Sequence, residues 1–94
     1  MLRFTVRFYG RVQGVGFRYN ARNVAALYAV AGTVENVEDG SVLMEVEGTA
    51  DELKRFIDAI RETMRGNIGR HTIARSPATG EFGPPRHGAL RIVR

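Results

Sequence analysis

Residues 9–19, Tyr-Gly-Arg-Val-Gln-Gly-Val-Gly-Phe-Arg-Tyr, join two incompatible hydrophobic periods. Before them Leu2, Phe4, Val6 and Phe8 alternate with Arg3, Thr5 and Arg7, the period of two that marks a strand with one buried face. After them Phe17, Ala21, Val24, Ala25, Tyr28 and Ala31 fall at helical spacing. A chain that changes period this abruptly must turn within the junction, and the three glycines there supply the backbone freedom. The same residues have chemical meaning. Glycines let backbone N–H groups turn toward a ligand, the first helical turn leaves N–H groups unpaired, and the helix dipole favours negative charge at that end. Arg18 is a cation on the unfavourable side of that dipole, a conflict that a bound anion removes. The pattern equally fits a glycine-rich turn with exposed arginines.

The remaining elements follow from the same reading. The spacing predicts a helix over 17–30 stopped near Gly32, a strand over 33–38, a turn at Glu38-Asp39-Gly40 and a strand over 41–47 with Val42, Met44 and Val46 inward. Thr49 stands three residues before Glu52 in a capping-box arrangement. Leu53, Phe56, Ile57, Ile60 and Met64 then mark one face of a helix over 50–65. Between 66 and 88, glycines and prolines interrupt the pattern and leave only 71–76 as a strand. Residues 89–93 resume strand character. The order strand, helix, strand, strand, helix, strand, with a further short strand at the end, predicts an α+β fold. It is a ferredoxin-like two-layer sandwich, βαββαβ, with a mostly antiparallel sheet and two helices on one side. Nothing divides the 94 residues into more than one domain.

Composition narrows the chemistry. There is no cysteine, so disulfide frameworks and thiolate metal sites are excluded. His71 and His87 have no carboxylate at ligand spacing, and no metal or other cofactor is expected. Arg3 and Arg7 interrupt the N-terminal apolar pattern, which rules out a signal peptide or membrane span there, and a cytoplasmic, membrane-free protein is expected. The formal charge is +4, with the excess in residues 48–94. That permits nucleic acid or anionic metabolites as partners without choosing between them.

A phosphate-sized anion needs several donors converging on its oxygens. The N–H groups of Gly14, Val15, Gly16, Phe17 and Arg18, with a guanidinium able to bond two oxygens at once, would supply them. A Gly-Lys-Ser/Thr ending is missing, as is the third glycine of a dinucleotide fingerprint. Asn36 shares its strand face with Val34, and a neutral amide near an anion can orient a water; an Asn three residues before Asp39-Gly40 also fits turn chemistry.

Gly10-Arg11-Val12-Gln13-Gly14-Val15-Gly16-Phe17-Arg18 resembles the first signature of the acylphosphatases, and Gly32-Thr33-Val34-Glu35-Asn36, followed by Gly40, Val42 and Gly48, resembles the second. The resemblance implies an enzyme that hydrolyses acyl phosphates to carboxylate and inorganic phosphate without a metal. Arg18 and the loop N–H groups would hold the phosphoryl group, Asn36 would orient the attacking water, and a substrate phosphate oxygen would take its proton. Inorganic phosphate is then expected as product and competitive inhibitor, and a stand-alone monomer is expected. Three positions depart from the family pattern. Thr33 stands where an aromatic is usual, which predicts weaker packing beneath the site; Glu35 replaces a neutral or basic residue and should face away from Asn36; Ala29 replaces a glycine. The alternatives are a non-catalytic or weakly active phosphate-binding domain and an RNA-binding module of similar fold. The RNA reading lacks its aromatic motif on residues 41–46.

Overall fold

The computed structural model describes residues 1–93. Its elements are β1 (Leu2–Gly10), α1 (Phe17–Ala25), β2 (Ala29–Asn36), β3 (Val42–Gly48), α2 (Ala50–Thr63), β4 (Ile68–Pro77), β5 (Arg86–His87) and β6 (Ala89–Val93). β1 lies between β3 and β4, antiparallel to both, and β2 continues the sheet beyond β3. β6 adds to β2 in parallel, and the two-residue β5 pairs antiparallel with Ala29 and Val30. The expected sandwich is present, with the C-terminal strand and one additional short pairing.

One sheet face carries the core. Phe4, Val6 and Phe8 of β1, Val34 of β2 and Val42, Met44 and Val46 of β3 are buried there. They are buried together with Phe17, Ala21 and Ala25 of α1 and Leu53, Phe56, Ile57 and Ile60 of α2. The period-two and helical patterns thus converge on one layer, each buried large side chain contributing roughly 1.5–3 kcal/mol by transfer from water. Phe17 meets Phe8 with ring centroids 5.0 Å apart, fixing the start of α1 over the end of β1.

The first helix is shorter than its spacing predicts. It ends at Ala25, and Ala26, Leu27 and Tyr28 donate to the carbonyls of Asn23, Val24 and Ala25, a tightened last turn that releases the chain into β2. Ala29, Val30 and Ala31 belong to that strand, and their small side chains serve a helix or a strand equally well. Gly32 is therefore not the helix stop. It lies in mid-strand, where an added Cβ would come 1.9 Å from the Glu45 carbonyl oxygen, so close approach to β3 explains the glycine.

The other boundaries shift less. β2 ends at Asn36, β3 runs to Gly48, and α2 ends at Thr63. Thr49 caps α2 by accepting from the Glu52 N–H at 3.2 Å, whereas the Glu52 carboxylate takes the N–H of Ala29 at 2.9 Å instead of closing the capping box. β4 is the largest difference, ten residues where six are predicted. Its length comes from pairing with the whole of β1, a partner that local sequence cannot show.

The opposite sheet face holds a polar clamp. Glu47, paired directly with Arg3 across β1 and β3, accepts from Arg3 Nε at 2.9 Å, Thr79 N at 2.8 Å, Gly80 N at 2.9 Å and Thr79 Oγ1 at 3.0 Å. Arg3 also bonds Glu81 and lies under the Phe82 ring, 4.7 Å from its centroid. Burial alone pushes the Glu47 carboxyl up, but the Thr79 and Gly80 N–H groups, Arg3 and the Thr79 hydroxyl outweigh it and bring it down to about 2. The chain after β4 is thereby folded over the outer face.

Candidate active site

The connection from β1 to α1 is held from both sides. Gln13 Nε2 donates to the carbonyl of Val37 at 2.7 Å and to that of Ser41 at 2.8 Å, which ties the loop to the β2–β3 turn. On the other flank Arg11 and Asn67 exchange two hydrogen bonds, Arg11 N to Asn67 O at 2.9 Å and Asn67 Nδ2 to Arg11 O at 3.1 Å. Val12, 1% exposed, anchors the loop in the core. Gln13 was legible only as a polar residue among glycines, and its role depends on carbonyls 24 and 28 residues away.

Between these ties Gly14 and Gly16 adopt φ of 74° and 77°, left-handed values that L side chains rarely take. Gly16 is the N-cap of α1 and contributes no side-chain cap, and the first turn carries no acidic residue. None of the backbone N–H groups from Val12 to Tyr19 has a hydrogen-bond partner among the described residues. The usual ways of satisfying a helix start are thus not used here, and a run of successive donors is left without a partner among the described residues.

Arg18 and Asn36 come together at this place. Both line a cleft of about 150 Å³ with Val12, Gly14, Gly16, Phe17 and Tyr19. Arg18 is half-buried, and its guanidinium has no carboxylate within 4.0 Å among the described residues. Asn36, the last residue of β2, lies by alternation on the helix side of the sheet, as does Val34. Its side chain makes no hydrogen bond among the described residues, so its amide is free to engage a ligand or water. Val15 does not line the cleft; its side chain packs against the core while its N–H stays in the loop.

The departing positions are also placed. Thr33 pairs with Glu45 and Arg91 and lines an outer-face cleft with Phe82, so it does not lie beneath the loop. The expected loosening is corrected: the apolar residues that line the cleft from the core are Val12 and Phe17, both buried, and not Thr33. Glu35 alternates to the face opposite Asn36. Ala29 opens β2, where its N–H meets Glu52.

At the neighbouring turn Asp39 accepts from the Ser41 hydroxyl at 2.5 Å and the Ser41 N–H at 2.9 Å, and lies 3.6 Å from Arg7. The Ser41 hydroxyl and N–H, with a smaller contribution from Arg7, hold the Asp39 carboxyl below its usual range. The tip that supports Gln13 is thus internally braced.

Comparison with known proteins identifies the family of the chain. The acylphosphatase family model matches residues 4–84. An acylphosphatase of Clostridium acetobutylicum is 45% identical over 65 residues, covering 69% of this chain and 71% of that protein. One of Listeria welshimeri is 49% identical over 57 residues, and the chain spans 61% of its length. The crystal structure of the acylphosphatase from Bacillus subtilis, 30% identical, superposes over the whole of both chains with a TM-score of 0.82. With its strand order, its glycine loop and both signatures matched, the chain belongs to the acylphosphatase family of enzymes.

Proposed function

We propose that the chain hydrolyses acyl phosphates to a carboxylate and inorganic phosphate, with the phosphoryl group in the cleft between the Gly14–Arg18 backbone and Asn36. The observation that carries this reading is the meeting of a cation and a neutral amide, 18 positions apart in sequence, beside a row of backbone donors that have no partner within the described residues. The phosphoryl oxygens accept from the loop N–H groups and from the two arms of the Arg18 guanidinium. A loose transition state spreads charge over those oxygens, and donors fixed in advance stabilise it without reorganising.

Asn36 orients the water. Its amide oxygen accepts a hydrogen bond from the water and directs the lone pair at phosphorus, opposite the acyl oxygen. The P–O bond to the acyl group breaks, and the carboxylate leaves with the bonding pair. No carboxylate or imidazole of the described residues lines the cleft, and in this reading a phosphoryl oxygen takes the proton of the water. The same donor set argues for a metal-independent reaction, since a hard divalent cation takes oxygen ligands, commonly carboxylates. Product phosphate binds the same donors and inhibits competitively.

The test is release of phosphate from benzoyl phosphate. Arg18→Gln and Asn36→Ala should each remove most activity while circular dichroism stays that of the wild type, and a chelator should change nothing. Turnover retained by Arg18→Gln overturns the assignment. Phosphate binding without turnover in the wild type identifies a non-catalytic domain. The RNA-binding alternative loses support from the outer face of the sheet, where the chain from Thr79 to Phe82 is tied down against Arg3 and Glu47.

A further inference from the structure

A cleft of about 150 Å³ accommodates a phosphoryl group and a water but not a sizeable acyl group as well, since sites for whole small molecules are typically about 300–1,000 Å³. A second cleft, about 480 Å³, shares Asn36 with the first and is lined besides by Arg7, Glu35, Val37, Glu38 and Leu43. Arg7, Leu43 and Glu35 stand side by side on β1, β3 and β2 at the hairpin end of the sheet. Leu43 and Val37 give this cleft an apolar component; it lies on the outer face of the sheet and meets the phosphoryl cleft at Asn36, the last residue of β2.

The charges are unevenly disposed. Arg7 is engaged at the turn, 3.1 Å from the Ser41 hydroxyl and 3.6 Å from Asp39, so its charge is largely offset there. Glu35 and Glu38 have no cation within 4.0 Å among the described residues. Glu38 is exposed and screened by water, whereas Glu35 is half-buried and keeps more of its field. Resting on the acyl phosphate reading above, we propose that the acyl group rounds Asn36 at the end of β2 into this outer-face cleft, and that Glu35 is the residue that sets acyl-group specificity. It selects acyl phosphates whose acyl portion is neutral or cationic, and disfavours those with a second anionic group. The substrate is thereby oriented end to end, its phosphoryl dianion on Arg18 and its acyl portion against a carboxylate.

The other way out of the phosphoryl site predicts the opposite sign. Tyr19, 61% exposed, also lines the smaller cleft, and the Arg22 guanidinium lies 5.1 Å from its ring centroid. An acyl group stacked there would meet a cation and favour a carboxylate.

Three substrates of equal reach separate the two: benzoyl phosphate, 4-carboxybenzoyl phosphate and 4-trimethylammoniobenzoyl phosphate, compared by kcat/KM at low salt. Unit charges about 6 Å apart at an effective dielectric constant of about 40 change affinity roughly tenfold. The wild type should therefore favour the cationic over the anionic substrate by at least about tenfold. Glu35→Gln should bring that ratio close to one, and Glu35→Lys should invert it, with circular dichroism unchanged. A ratio that is the same in all three proteins, or that favours the carboxylate and responds to Arg22→Gln instead, overturns the proposal. Inhibition or binding constants of the matching benzoylphosphonates are measured in parallel. If benzoyl phosphate is not hydrolysed at all, the catalytic reading fails, and the phosphonate ratios still decide the role of Glu35.

Discussion

The two loops that decorate the sheet are built on opposite plans. The β1–α1 loop is shaped by the left-handed Gly14 and Gly16, the anchor Val12 and the ties of Gln13 and Arg11 to its flanks, and its N–H groups from Val12 to Tyr19 have no partner among the described residues. The chain after β4 spends its N–H groups on one buried carboxylate: Thr79 and Gly80 donate to Glu47, 32 and 33 residues away. In one place donors are left without a protein partner among the described residues, and in the other they are consumed by the protein. Arginine follows the same division, since Arg3 is tied to Glu45, Glu47 and Glu81 while Arg18 meets no carboxylate among the described residues. The proposed function places catalysis with the unsatisfied set and stability with the satisfied one, and predicts that each can be broken without the other.

The sharpest break is at the two arginines. Arg18→Gln should lower kcat roughly 10²–10³-fold, in line with about 3–4 kcal/mol for losing one transition-state donor, and leave Tm within a degree or two. Arg3→Gln should do the reverse, with a marked drop in Tm and little change in kcat of the folded protein. Loss of activity in both, measured on samples shown to be folded, would dissolve the distinction between the loops.

Glu47 tests the structural half by pH. Its carboxyl is lowered from 4.5 to about 2 in the folded protein, so its contribution is fully present above about pH 4.5 and is lost as pH falls from there toward 2. Glu47→Gln leaves Arg3 short of a buried counter-charge and should cost about 3 kcal/mol near neutrality. Urea titrations of both proteins should show that difference at pH 7 and a shrinking gap down to pH 2. A gap that does not change with pH would assign the effect to lost packing rather than to the charge.

The same contrast explains what could be read from the sequence. β1, β3 and α2 are legible because each buries one face, and alternation or helical spacing reports burial directly. The end of α1 is not, because Ala25 to Gly32 includes Ala25, Ala26, Ala29, Ala31 and Gly32, residues small enough for either period, and the choice is made by pairing with β3 and β6. The region after α2 is harder still, since its order is imposed by Glu47, Arg3 and the length of β1. For the site, Arg18 and Asn36 stand out by residue type and position, whereas Gln13 gains its meaning only when the β2–β3 turn is folded beside it.

Gln13 offers an intermediate test, because it belongs to the functional loop but acts through protein partners. Gln13→Ala removes two hydrogen bonds to backbone carbonyls, about 1–2 kcal/mol of net stability, and releases the loop from the hairpin. Activity should fall about tenfold, less than for Arg18→Gln, because the donors remain but are less well fixed. KM and phosphate inhibition should weaken together. A fall in Tm with unchanged kinetics would mean that the loop keeps its shape through Gly14, Gly16 and Val12 alone.

The smallest effect lies at the start of α2, where a local signal and a long-range one divide. Thr49 caps the helix through the Glu52 N–H, and the Glu52 side chain reaches back to the first N–H of β2. Thr49→Ala should cost about 1 kcal/mol, the usual value for an N-cap, without affecting turnover. Glu52→Ala should cost a similar amount by leaving the Ala29 N–H unpaired. The two bonds use different atoms and different partners, so the double variant should lose the sum of the single losses. A shortfall would mean that Thr49 and Glu52 act as a unit, and that capping the helix helps to hold the entry of β2. In that case the strand carrying Asn36 would depend on a local cap as well as on its neighbours in the sheet.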